Sequence, residues 1–201
     1  MRFSGDRLVI ATHNRGKLEE IERLLAPYRI AVTSAAELGL PEPAETEDSF
    51  VGNARIKAHA AARGSNLPAL ADDSGLEVAA LGGAPGVYTA DWAETPNGRD
   101  FGLAMQRTWD ALEAIGAPEP RLARFCCTLV LAWPNGKDVY FQGFVSGKLI
   151  WPPRGAQGHG YDPMFQPDGR AETFGEMNRW EKNQISHRAE AFRQLVDVCF
   201  T

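Results

Sequence analysis

Ala71-Asp72-Asp73-Ser74-Gly75-Leu76 is the stretch on which the reading of this chain turns. Two adjacent carboxylates follow the apolar run Leu67-Pro68-Ala69-Leu70-Ala71 and precede Ser74 and Gly75. This pattern predicts a short buried strand that delivers acids to its carboxyl end, followed by a tight turn. Open α/β sheets take their ligands at that end of the strands. Successive side chains on an extended segment point to opposite sides, so Asp72 and Asp73 cannot face one ligand in the same way. One is expected to orient backbone and the other to meet a cleft. Asp, Ser and Gly are also ordinary turn residues, and the six residues alone fit a solvated turn as well.

Upstream, Leu8-Val9-Ile10-Ala11-Thr12 reads as a strand broken by His13-Asn14-Arg15-Gly16-Lys17. Leu18, Ile21, Leu24 and Leu25 then recur at helical spacing, with Glu19, Glu20, Glu22 and Arg23 on the other side, until Pro27 ends the region. Asn14 and Lys17 thus fall at a helix start, where free N–H groups and the positive end of the dipole attract a phosphate. The glycine framework of a Walker A loop is missing, and an ordinary helix cap with a solvated lysine fits the motif equally well. A second strand near Arg29 to Ser34 leads into the acidic, proline-bearing loop 41–48. A helix from about Ser49 to Arg63 follows, with Phe50, Ala54, Ala58 and Ala61 as its apolar stripe and Asn53 and Lys57 one turn apart on another face, where Lys57 fits a solvated lysine, the commoner case, or one reaching a cleft.

Downstream, Leu81-Gly82-Gly83-Ala84-Pro85-Gly86-Val87-Tyr88 is a shaped loop, and residues 97–115 read as a helix with Phe101, Leu103, Met105, Trp109, Leu112 and Ile115 as its apolar set. Phe125 to Trp133 is apolar on both faces, as a central strand is. Asn135-Gly136 is a hairpin signal, and Val139 to Trp151 is a long second strand in which Gly143 and Gly147 predict bulges or bends. The glycine-rich segment from Gly155 ends in His159-Gly160-Tyr161-Asp162-Pro163. The final helix is expected to begin near Ser186 and to bury Ile185, Ala189, Phe192, Leu195, Val196 and Cys199. His187 and Arg188 then sit in its first turn, where positive charge opposes the dipole; such a pair points to a ligand.

The 201 residues are read as a single domain with ample core. A net charge of −5 argues against a protein that binds by neutralising a nucleic-acid backbone. Three cysteines, two of them adjacent, form neither a disulfide framework nor a zinc spacing and read as small core residues. The polar start and the absence of a membrane-length apolar run make the cytoplasm the expected location, with no membrane partner.

The motifs taken in order are Thr12 to Lys17; Glu45-Thr46 with Phe50, Asn53-Ala54 and Lys57-Ala58; Ala71 to Leu76; and Gly82 to Tyr88. They continue with Gly160-Tyr161-Asp162-Pro163 and with Lys182, Ile185, Ser186, His187 and Arg188. This series resembles the inosine/xanthosine triphosphate pyrophosphatase family, and the resemblance covers nearly the whole chain. It implies an elongated α/β fold with a twisted mixed sheet, flanking helices and two lobes around a nucleotide cleft. It also implies a homodimer, a requirement for Mg²⁺, and conversion of ITP, dITP or XTP to the monophosphate and pyrophosphate. Carried over by position, Thr12, His13, Asn14, Arg15, Gly16 and Lys17 would hold the triphosphate. Asp73 would be the metal-linked general base and Ser74 would contact substrate. His159, Gly160, Tyr161, Asp162, Lys182, His187 and Arg188 would line the nucleoside pocket. Where the family usually carries Phe before Gly-Tyr-Asp, this chain has His159, and where two glutamates often precede the threonine the first is Ala44.

The residue types suit that chemistry. Hydrolysis at the α-phosphorus needs the triphosphate charge neutralised, for which Mg²⁺ held by Asp73 and Glu45, with Lys17 and Lys57 on the leaving group, is adequate. Lys182, Arg188 and His187 offer donors to the C6 carbonyl of inosine or xanthosine, which the amino group of adenine would leave unpaired. The alternatives are a magnesium-dependent pyrophosphatase of modified pyrimidine or methylated nucleotides, a non-catalytic nucleotide sensor, and a nucleic-acid-binding module.

Overall fold

Leu8, Val9 and Ile10 lie on β1 (Arg7–Ile10) and are completely buried, because both faces of the strand are covered. The computed structural model describes residues 2, 3 and 5–200. β1 leads into helix α1 (Arg15–Leu25), which crosses to β2 (Ala31–Ser34), parallel to β1. Helix α2 (Phe50–Ser65) then leads to β3 (Ala69–Val78), parallel to β1 on its other side. After β3 come the two-residue strands β4 (Glu94–Thr95) and β5 (Gly98–Arg99), helix α3 (Phe101–Ala114), and the long strands β6 (Leu122–Ala132) and β7 (Asp138–Leu149). β8 (Phe165–Pro167) pairs antiparallel to β7, and helices α4 (Arg179–Ile185) and α5 (His187–Cys199) finish the chain. The mixed sheet has the order β2-β1-β3-β6-β7-β8.

The chain divides into two compact units. The first comprises Met1–Asp73, Cys127–Gly143 and Arg188–Thr201, and the second Ser74–Cys126 with Phe144–His187. In the first unit the period-two alternation of β3 sorts the core into two clusters. Leu70 packs with Leu8, Ile10, Ile21, Leu25, Phe192 and Leu195, drawn from β1, α1 and α5. Ala69 and Ala71 pack with Ala54, Ala58, Ala61 and Ala62 of α2. A helix face built of alanines lets α2 come close to the strand, so a long side chain projecting from it is carried inward rather than left in water. The second unit is built around aromatic residues, with Phe125 4.7 Å from Phe165 and 6.0 Å from Phe174 between ring centroids.

The helices and strands expected from the sequence are present, with several corrections. No tight turn follows the double aspartate: β3 continues through Ser74 and Gly75 to Val78, its later residues Leu76 and Val78 burying into the second core. Asn135-Gly136 lies in the turn that joins β6 to β7, residues 133–137, where the Gly136 N–H donates to the Trp133 carbonyl. Gly147 is not a bulge. It pairs with Pro167, and a Cβ there would lie 2.3 Å from the Gln166 carbonyl oxygen, so glycine permits close strand approach. Ile115 is 57% exposed, and Ala104 and Thr108 are buried on α3 instead. Residues 179–185 form a separate helix, α4, capped at its start by Asn178, whose side chain accepts from the Glu181 N–H. Ser186 is the extended residue between α4 and α5. All three cysteines are buried and free. Among the described residues no helix is long and apolar enough to cross a membrane.

Candidate functional site

Because side chains alternate along β3, Asp72 and Asp73 carry different partners. Asp72 lies on the α1 and α5 side, completely enclosed. Its Oδ1 is 2.5 Å from Lys17 Nζ, and its Oδ2 accepts from Arg188 Nε at 2.9 Å and from Cys127 Sγ at 3.0 Å. Arg188 also donates through Nη1 to Glu20 at 2.5 Å. Lys17, Asp72, Arg188 and Glu20 therefore form a chain of alternating charges, in which α1 supplies two members, β3 one and α5 one. Burial opposes ionisation of Asp72, but the Arg188 guanidinium and the Lys17 ammonium outweigh it and hold the carboxyl well below the usual carboxylate range. Burial likewise disfavours the Arg188 charge, and Asp72 and Glu20 more than restore it.

Asp73 lies on the α2 side. Its Oδ1 accepts from Lys57 Nζ at 2.9 Å, and the same ammonium donates to Glu45 at 2.8 Å. Ser49 caps α2, its hydroxyl accepting from the Gly52 N–H, and this start sets the helix phase that points Lys57 at β3. Lys57 is thus not a solvated lysine but the junction of two carboxylates, and they keep it protonated against the cost of its burial. Asp73 Oδ2 is buried and has no hydrogen-bond partner. Burial pushes the Asp73 carboxyl up to about 6, more than Lys57 and Lys17 pull it down, with Glu45 adding to the rise.

Raised above its ordinary 3.8, the folded-state pKa of Asp73 makes the folded chain keep a proton that the unfolded chain has already released. Stability from this group is full below about 3.8 and is lost as pH rises through about 6. At 1.36 kcal/mol per unit the loss approaches about 3 kcal/mol. In urea melts of metal-free protein between pH 4 and 7, the wild type should lose stability relative to Asp73→Asn as pH rises. Parallel curves would place the carboxyl in a solvated setting.

At the start of α1, Asn14 is the N-cap and its side chain accepts from the Lys17 N–H at 3.1 Å. Thr12 Oγ1 accepts from the Asn14 N–H, and His13 reaches the Leu40 carbonyl at 3.1 Å. Arg15 and Gly16 are the first two helical residues, so their N–H groups point out of the helix end. Arg15 itself extends into solvent, 91% exposed along its side chain and paired with Glu19, and is not part of the inward set. His13, Pro41, Glu42, Pro43 and Lys57 line a small recess.

In the second unit, Asp162 is buried and accepts from Lys182 Nζ at 2.5 Å and from the His159 backbone N–H at 2.7 Å. Lys182 lies 5.5 Å from the Phe174 ring centroid, and His187 stacks on Phe125 at 5.0 Å with an interplanar angle of 13°. His159 is exposed, as a residue available to a ligand must be. Gly160 takes a left-handed φ of +66° beside Phe101, which carries the chain into the Tyr161 turn. Tyr161 corrects the expectation that it lines a pocket: it is 1% exposed and packs edge-on against Phe101 in the core. Ser74 is half-buried within β3. An open recess of about 390 Å³, lined by Tyr88, Asp91, Trp92 and Arg107, includes none of the candidate residues.

Two residues escaped the sequence reading. Spacing puts Glu20 on the solvent face of α1, yet its side chain is only 13% exposed and binds Arg188. Its position three residues after Lys17 was the available signal, because the two share a helix face. Asn53, which spacing only places one turn from Lys57, holds the acidic loop through the Glu47 N–H, which donates to its Oδ1.

Among the described residues no group of three or more His, Cys, Asp or Glu side chains could hold a metal ion. The donors available for a hard divalent cation are the Asp73–Glu45 pair, with the unpartnered Asp73 Oδ2 as the open ligand. That suits Mg²⁺, which is commonly bound by one or two carboxylates and completed by substrate phosphates and water.

The chain is similar to known proteins over nearly its whole length. A family model described as the Ham1 family matches residues 8–198. The chain is 67% identical to a dITP/XTP pyrophosphatase of Ruegeria pomeroyi, over 98% of this chain and 97% of that one. It is 54% identical to one of Agrobacterium fabrum, over 96% and 95% respectively. Among solved structures, a HAM1 protein from Coxiella burnetii superposes with a TM-score of 0.88 at 39% identity, covering 96% of this chain and 97% of that one. The Staphylococcus aureus Ham1 protein gives 0.81 at 32% identity, covering 94% and 95%. With a match that runs from β1 to α5 and agreement in both sequence and fold, the chain belongs to the Ham1 family.

Proposed function

We propose that this protein hydrolyses non-canonical purine nucleoside triphosphates, of the ITP, dITP and XTP type, to the monophosphate and pyrophosphate. The observation that carries the reading is the Asp73–Lys57–Glu45 junction, with a buried carboxylate oxygen that no protein group engages. The names of the relatives point the same way.

Mg²⁺ held by Asp73 and Glu45 would supply charge neutralisation for the triphosphate and polarise the bond to be broken. Asp73, held at Oδ1 by Lys57, accepts the proton of the attacking water. Lys57 holds Asp73 Oδ1 in one orientation and brings a positive charge toward the leaving group. The N–H groups of Arg15 and Gly16 and the ammonium of Lys17 receive phosphate oxygens at the start of α1. Since Lys17 also touches Asp72, the buried chain of charges keeps it in place without substrate.

On the nucleoside side, Lys182 has three N–H donors and gives one to Asp162, so it can still donate to a keto oxygen of the base. Arg188 is committed to Asp72 and Glu20, and its part in base choice is indirect. His159 stacks on the base with less area than a phenyl ring would offer. The active form is a homodimer working in the cytoplasm.

The test is a panel of ITP, XTP, GTP, ATP, dUTP and methylated triphosphates with Mg²⁺, assayed for pyrophosphate and orthophosphate separately. The expected result is pyrophosphate from ITP and XTP, with ATP turned over at least about 100-fold more slowly in kcat/KM. Equal use of ATP, or a preference for dUTP, would overturn the reading.

A further inference from the structure

The acidic loop ahead of α2 has no regular structure between Leu40 and Ser49, yet Glu45 reaches one particular ammonium. Two features of α2 account for this. Asn53 is 2% exposed, and its Oδ1 accepts from the Glu47 backbone N–H at 3.0 Å. Gly52, its neighbour, is overlaid by the Glu47 side chain: a Cβ on Gly52 would lie 2.5 Å from Glu47 Cβ and 2.7 Å from Cγ. The loop is therefore pinned by a buried amide at one point and seated against bare helix backbone at the next. Lys57 stands one turn beyond Asn53 and binds Glu45 on the same loop. Two attachments two residues apart, at Glu47 and Glu45, fix the direction of the chain between them.

We propose that Asn53, with Gly52, is a positioning element that presents Glu45 to the Asp73–Lys57 junction and so sets affinity for the divalent cation. Asn53 touches no reacting atom. It acts through the Glu47 backbone, and Glu45 is the group it delivers. Outer partners of this kind typically govern metal affinity by 10- to 100-fold. The inference rests on the reading of Glu45 as a metal-holding acid, so the experiment must test that reading as well.

Metal-free wild type, Glu45→Gln, Asn53→Ala, Gly52→Ala and the double variant Asn53→Ala/Glu45→Gln would be titrated with Mn²⁺, bound ion being measured by electron paramagnetic resonance and folding by circular dichroism. Asn53→Ala and Gly52→Ala should each weaken Mn²⁺ binding about 10- to 100-fold. The double variant should be no weaker than Glu45→Gln, because both changes remove the same ligand. In steady state, Asn53→Ala should need more Mg²⁺ for half-maximal rate but recover most of its kcat when metal saturates, a split that general loss of structure would not give. Should Asn53→Ala fail to fold, Gly52→Ala decides by the same readout. Weakened binding in Glu45→Gln together with wild-type binding in the folded Asn53→Ala or Gly52→Ala overturns the positioning role alone. Unchanged binding in Glu45→Gln overturns the metal reading of Glu45 and the inference with it.

Discussion

Asp73→Asn should lose about 10²- to 10⁴-fold in kcat for pyrophosphate release while folding normally. The amide keeps the shape of the carboxyl and can still meet Lys57, but it cannot take a proton from water. Removing the group should not collapse the core, since in the wild type its ionisation already costs stability near neutral pH. The measurement is single-turnover hydrolysis of ITP at saturating Mg²⁺, with urea melts alongside. A variant that keeps more than a tenth of the wild-type rate would move the base to another residue.

Arg188→Ala should be the most damaging change to stability, at about 3–5 kcal/mol. It removes a guanidinium that is 6% exposed from between two carboxylates, and Asp72 is left deep in the core without the cation that donates at 2.9 Å. For a domain of this length the midpoint should fall by roughly 6–20 °C. This outcome also separates two roles for Arg188. If it serves the buried chain of charges, the folded fraction of the variant should still prefer ITP to ATP. If it also donates directly to the base, the preference should vanish in the folded fraction. Thermal melts and a two-substrate assay on the same preparation distinguish the two.

Much of this was legible in the sequence because periodicity is a local property. The alanine stripe of α2, the apolar run of β1 and the two-faced apolar β6 follow from spacing alone, and the structure has them in place. The opposite orientation of Asp72 and Asp73 was legible for the same reason. Gly75 misled: a glycine after Ser reads as a turn, whereas here it lies within a ten-residue strand whose end is buried in a second core. The missing information was the strand's long-range packing, which local propensity does not contain.

Partnerships between distant residues were legible only in part. Spacing puts Lys57 on a face of α2 away from the alanine stripe, and its meeting with Asp73 at 2.9 Å comes from the close helix–strand approach that the alanines permit. Glu20 meeting Arg188 could not be anticipated, since the two are separated by 168 positions and neither spacing nor composition joins them. Tyr161 shows the opposite error. It belongs to the motif in sequence, but its ring fills the core while its neighbours Asp162 and His159 carry the polar contacts.

The most direct measurement is hydrolysis of ITP in H₂¹⁸O with Mg²⁺, followed by mass spectrometry of both products. Attack on the α-phosphorus by water that Asp73 deprotonates should leave one ¹⁸O in the nucleoside monophosphate and none in the pyrophosphate. Label in the pyrophosphate, or release of orthophosphate in its place, would contradict it.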